Sequence, residues 1–192
     1  GLTAAEFMGE EALIRARLAE VGEMARRRAA SLVKVPAPPS GTDPEAATER
    51  LRIACVAAGA GITVVFENTP GSAWDTGAAG DAPLSALAGD HDVGFAFNPA
   101  HFAQVGERPF LGVYRGTKLK RYTRIIYCTD GCFPGRPPYT LPAQGNGEVK
   151  ELLSIFRARS FDGFVTLVMG DRRGADEFKR QAAAFRRLLE TS

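Results

Sequence analysis

The chain of 192 residues carries three cysteines, two histidines and one tryptophan, and each scarcity excludes something. Three thiols cannot all pair within one chain, so a disulfide framework is excluded and a reducing compartment, the cytoplasm, is expected. His91 and His101 stand outside any paired motif, so a zinc site built on Cys128 and Cys132 has no second ligand pair of the usual spacing. The longest apolar stretch, Ile53 to Phe66, is interrupted by glycines and falls short of the roughly 18 residues of a membrane span, so no membrane partner is expected. No basic, apolar and small-residue succession at the start suggests a signal peptide. Neither charge dominates: 24 basic against 22 acidic side chains leave a net +2, too little to draw in nucleic acid. The one dense basic run, Arg26 to Arg28, suits a solvated helix face.

What remains is an ordinary globular composition, 45% hydrophobic and 24% charged, without internal repeats or low-complexity segments. The length suits one domain over 1–192. Short β-branched runs alternate with helical stretches, the pattern of βαβ units and a parallel sheet. The spacing predicts an opening helix capped by Thr3 and Glu6, with Leu13, Leu18, Val21 and Met24 as its apolar positions. Strands are expected at Ser31 to Val35, Gly61 to Glu67, Asp92 to Phe97, Thr123 to Cys128 and Gly163 to Val168. Helices are expected from Pro44 to Ala58, near Leu84 to Ala88, around Phe110 to Leu119, from Val149 to Arg157 and from Ala175 to Leu189. Five such strands suit either an open doubly wound sheet or a (β/α)8 barrel, of about 250 residues when complete, that lacks two or three units.

Both architectures place chemistry at the carboxyl ends of the strands. There stand Glu67 and Asn68, Asn98 and His101, Tyr127 with Cys128 and Asp130, Gln144 with Gly145 and Gly147, and Val168 with Met169. Glu67 leads, because a carboxylate directly after a buried apolar strand must be hydrogen-bonded, paired or metal-bound. Gly145-Asn146-Gly147 before a helix could turn backbone N–H groups toward a phosphate, or could simply be a turn. Cys55, on an apolar helix face, is expected in the core.

The succession Val65-Phe66-Glu67-Asn68, Phe97-Asn98-Pro99-Ala100-His101-Phe102 with Gln104 and Gly106, Arg124-Ile125-Ile126-Tyr127-Cys128-Thr129-Asp130, Pro142-Ala143-Gln144-Gly145-Asn146-Gly147 and Phe161-Asp162-Gly163-Phe164-Val165-Thr166-Leu167 resembles the xylose isomerase-like TIM barrels, the sugar-phosphate isomerase and epimerase superfamily. The resemblance implies an α/β fold, a partial (β/α)8 barrel that lacks its first strands. In that family one divalent metal is held by two glutamates, an aspartate and a histidine, and the glutamates shuttle a proton through an enediolate. Carried over, the first ligand is Glu67, while the other positions hold Asn98, Tyr127 and Val168. Glu67 is then the one candidate acid/base, His101, Asn98, Tyr127, Asp130 and Gln144 are candidate ligand-binding residues, and no cofactor is expected. The implied protein has a degraded metal site, is non-catalytic, and binds a sugar, a sugar phosphate or a protein partner in the inherited pocket. The alternative is an active isomerase, epimerase or lyase that combines Glu67 with His101, Asp130 or Cys128 and takes Mn, Mg, Co or Zn. A third reading is a structural or interaction subunit. Open sheet edges at Ser31 to Val35 and Gly163 to Val168 call for a covering chain or segment.

Overall fold

The computed structural model describes residues 2–168 and 174–191. Five strands follow chain order in the sheet; the first three pair in parallel, as do the last two, with helical crossovers between them. Contacts divide the chain into two compact units, Gly1–Ala96 and Phe97–Ser192.

In the first unit the opening segment is two helices rather than one. Helix α1 (Ala4–Phe7) carries the expected capping box between Thr3 and Glu6 and stops before Gly9; α2 (Glu11–Arg27) starts afresh. The buried stripe of α2 is Ile14, Leu18, Gly22 and Ala25, while Leu13 and Met24 are 64% and 52% exposed. Two of the four expected apolar positions therefore face water, because the inner face is chosen by close approach. A Cβ at residue 22 would collide with the carbonyl of Ala58, and only glycine lets α2 lie so near α3 (Pro44–Ala58). Arg26 Nη1 donates to that same carbonyl at 2.8 Å, so the basic run is exposed as expected but also tethers a helix end. Helix α3 begins with the Asp43 cap and Pro44 and ends at Gly59, where φ is +82°. Cys55 is buried on it, and burial, aided by Asp92, pushes its thiol up to about 11.

Strands β1 (Leu32–Lys34) and β2 (Thr63–Glu67) run in register Leu32 to Thr63 and Lys34 to Val65; β3 (Val93–Phe97) then pairs Glu67 with Ala96. Val64, Val65 and Phe66 are fully buried, as a strand covered on both faces requires. Trp74 and Phe95 pack on Phe66 with ring centroids at 4.2 and 5.4 Å. Helix α4 (Gly77–Leu87) starts seven residues before the expected one, at a Thr76 cap, because its first turns are glycine and alanine and give no apolar period.

In the second unit Asn98 caps a helix not foreseen, α5 (Pro99–Gln104). The helix expected around Phe110 divides into a π-helical turn (Pro109–Tyr114) and α6 (Leu119–Tyr122). The Glu148 carboxylate accepts from the N–H groups of Phe110 and Leu111 at 2.7 and 3.0 Å, satisfying the start of the turn. Strand β4 (Thr123–Tyr127), helix α7 (Val149–Ala158), strand β5 (Phe164–Thr166) and helix α8 (Ala175–Thr191) complete the unit. Cys128, Val149, Leu153 and Leu188 form its core cluster, with Leu167 and Phe185 against it. Among the described residues no helix is long and apolar enough to cross a membrane.

Leu18→Ala is expected to cost about 2–5 kcal/mol and Leu13→Ala under about 0.5 kcal/mol in urea denaturation. Equal losses would mean that the inner face of α2 is the one the spacing first suggests.

Candidate functional site

Glu67 closes β2 and shares a face with Val65, whose partner across the sheet is Lys34. The long lysine reaches two residues forward, and its Nζ lies 2.6 Å from Glu67 Oε2. The Glu67 side chain is 12% exposed and that of Lys34 48%, so the carboxylate is largely withdrawn from water while its cation stays half solvated. The requirement that Glu67 be paired or ligated is met by a lysine that no motif in the sequence singled out. Asn68, next to Glu67, is fully buried.

The second unit gathers its polar residues on the loop between β4 and α7. Asp130 is fully buried, and its carboxylate accepts from the N–H groups of Gly131 at 2.8 Å, Gly145 at 3.0 Å and Gly147 at 2.7 Å, with the Ala143 N–H also bonded. Burial holds this carboxyl above the usual aspartate range, against the opposing pull of the four donors. The glycines are needed for approach, since a Cβ at 147 would stand 2.6 Å from the Asp130 carboxylate and one at 131 would stand 2.6 Å from the Pro138 carbonyl. The Gly145-Asn146-Gly147 segment does turn its N–H groups toward an anion, but that anion is Asp130, which corrects the phosphate reading. Asn146 Oδ1 accepts from Phe133 N–H at 3.1 Å, and Thr140 N–H donates to the Asp130 carbonyl at 2.9 Å. Gln144 is exposed on this loop.

Asn98 Oδ1 accepts from the His101 N–H at 3.4 Å, a long contact, so its amide serves the start of α5. The His101 ring Nε2 lies 3.1 Å from the hydroxyl of Tyr139, and Gln104 Nε2 donates to the Pro138 carbonyl at 2.9 Å. Tyr139 was not among the residues expected at the site; it sits in a proline-rich loop where only proximity in space could reveal it. Tyr127 is buried at the end of β4. The Val168 carbonyl accepts from Thr129 Oγ1 at 2.7 Å. Cys128 lies in the apolar cluster, and burial pushes its thiol up to about 12, so it is un-ionised at neutral pH. Cys132 is half-buried, and all three cysteines are free. His91 precedes β3, at the amino end of that strand. Met169 lies outside the described residues.

The four positions matched to metal ligands offer one carboxylate, an amide, a phenol and an aliphatic chain. The carboxylate already contacts an ammonium group, and Asn98 spends its oxygen on a helix cap. Among the described residues no three His, Cys, Asp or Glu side chains gather closely enough to hold a metal ion. This set offers a hard divalent cation one carboxylate, and the affinity of such sites depends on the number and charge of their oxygen ligands.

No protein-family model matches the chain, and no curated protein matches its sequence. Solved structures do. A xylose isomerase domain protein from Planctomyces limnophilus aligns over 92% of this chain and 63% of its own, at 19% identity and a TM-score of 0.69. The probable 3-DHS dehydratase AsbF from Bacillus anthracis aligns over 91% and 69%, at 14% identity and a TM-score of 0.71. The 3-keto-D-glucoside 4-epimerase YcjR from E. coli aligns over 92% and 70%, at 15% identity and a TM-score of 0.67. Zinc is bound in another match and magnesium in a further one. These likenesses show the fold: an α/β chain with the architecture of a partial xylose isomerase-like barrel. The chain spans less than two thirds of the Planctomyces limnophilus protein.

Because burial raises the Asp130 carboxyl above the ordinary value of 3.8, the folded chain takes up this proton before the unfolded chain does as pH falls. The stability it contributes is present below the unfolded value and is lost as pH rises through the folded one. Asp130→Asn leaves some cage N–H groups without an acceptor and is expected to cost about 1–3 kcal/mol at pH 7. The gap to the parent chain should widen toward acid in denaturant titrations; a gap that narrows would mean that the four donors outweigh burial.

Proposed function

We propose that this chain is a relative of the sugar isomerase and epimerase barrels whose metal site is degraded, and that it binds a sugar or sugar phosphate without metal-dependent isomerisation. The observation that carries this is the Lys34–Glu67 contact: the one carboxylate surviving at the four matched positions is occupied by a side-chain cation. Val168 can neither ligate nor carry a proton, so a two-carboxylate shuttle has no second member there. In the second unit the polar side chains that support a ligand are His101 and Tyr139, in contact at 3.1 Å, and the exposed Gln144. Asp130 acts indirectly, by fixing the glycine loop on which Gln144 stands.

A second reading, an active isomerase, epimerase or lyase with relocated groups, draws on one observation. The His101 ring and the Tyr139 hydroxyl, 3.1 Å apart, form a proton-transfer pair of the kind that such chemistry needs, and one structural neighbour is named a probable dehydratase. A covering partner is also part of the proposal, since β5 presents Phe164 and Val165 at 58% and 44% exposure.

The test is elemental analysis after loading with manganese, cobalt and zinc, alongside thermal shifts with a panel of sugars and sugar phosphates. Substoichiometric metal is expected, with stabilisation by a sugar that His101→Ala weakens. Stoichiometric metal that Glu67→Gln removes would contradict the proposal and favour the second reading.

A further inference from the structure

We infer that the second unit binds an anionic amphiphile, a fatty-acid carboxylate, in a cavity between α7, β5 and α8. The cavity has a volume of about 480 Å³, and its apolar wall is Leu153, Phe156, Phe161, Val165, Phe185 and Leu189. Arg157 and Ser160 are its polar members. Small-molecule sites run from about 300 to 1,000 Å³ and are likewise mostly apolar, with a few polar groups that orient the ligand. Neither His101 nor Tyr139 lines this cavity, so it is a second site. Helix α8 shows why the wall stays open. Gln181, Ala184 and Leu188 are its buried stripe, while Phe178, Ala182, Phe185 and Leu189, spaced by four, three and four, form a second apolar stripe beside it. Phe178 and Leu189 of that stripe are 52% and 48% exposed, and Val165 facing it from β5 is 44% exposed.

Charge at the cavity's end selects the ligand. Because β4 and β5 are parallel, α7 runs back between them and its last turn lies at their amino ends. The Phe161–Gly163 turn packs there on the start of β4, since a Cβ at 163 would stand 2.6 Å from the Arg124 carbonyl. Five arginines belong to this end, Arg121 and Arg124 around the start of β4, Arg157 and Arg159 at the close of α7, and Arg186 one turn before Leu189, against Asp162 and Glu190. Five minus two leaves an excess of three, larger than the +2 of the entire chain. A neutral apolar ligand would make no use of that charge, and a cation would be repelled by it. One turn of a protein helix, about 10–12 Å wide and 5.4 Å long, would already fill the space, whereas a single alkyl chain enters with its carboxylate at the basic rim.

Isothermal titration with dodecanoate, kept below its micelle concentration, is expected to show saturable binding of one molecule per chain. Dodecyltrimethylammonium, of equal chain length and opposite charge, should bind at least about tenfold more weakly. Leu189→Glu sets a carboxylate in the wall and should weaken dodecanoate about tenfold or more, with Leu189→Asn as the milder variant should the first not unfold cooperatively. Arg159→Ala/Arg186→Ala, which removes two exposed charges, should weaken dodecanoate about fivefold and tighten the cationic amphiphile. Leu13→Glu, at an exposed apolar position of the first unit, should change neither. Equal affinity for the two amphiphiles, or indifference to both Leu189 variants, would overturn the inference. So would attachment to phosphatidylserine vesicles without binding of monomeric dodecanoate.

Discussion

A carboxylate set at the end of a strand buried on both faces must be hydrogen-bonded, paired or ligated, and the pairing at β1 and β2 answers that constraint. Val64, Val65 and Phe66 commit β2 to the core, which leaves Glu67 at the rim with little of its side chain in water. Losing hydration is tolerable only against a partner charge or hydrogen-bond donors. Parallel pairing supplies one, because the residue across from Val65 is a lysine long enough to reach forward. In this chain the Lys34 ammonium supplies that charge.

A second carboxylate is compensated in another way. Asp130 is as deeply buried as any core residue, yet its carboxylate is met by backbone N–H groups. Glycines at 131, 145 and 147 let the chain close around it, and the long connection from β4 to α7 is thereby fixed without regular secondary structure. This fixed loop carries Tyr139 toward His101 and Gln144 to the surface. The placement of Tyr139 and Gln144 in the second unit therefore depends on one buried carboxyl group.

Much of the fold was legible because strand cores and caps are local signals. The β-branched run ending at Glu67 and the Asp43-Pro44 helix start were both readable, and both hold. What misled was the inner face of α2, where Gly22 and Ala25 pack closely and Leu13 and Met24 do not: helical period finds large apolar residues, whereas close helix approach selects small ones. Lys34 and Tyr139 were illegible for a different reason. Their significance depends on register and loop path, which juxtapose residues 33 and 38 positions apart. The glycine pair left a phosphate cradle and a plain turn open, and the group it encloses, Asp130, lies 15 residues upstream of Gly145 in the same chain.

The most direct measurement of the coupling at the centre of this reading is a double-mutant cycle between Lys34→Met and Glu67→Gln, with unfolding free energies taken from denaturant titration. With Glu67 largely withdrawn from water and Lys34 half exposed, a coupling of about 0.5–1.5 kcal/mol is expected. Additive losses, with a coupling indistinguishable from zero, would contradict it, because Glu67 would then not depend on Lys34 for its compensating charge.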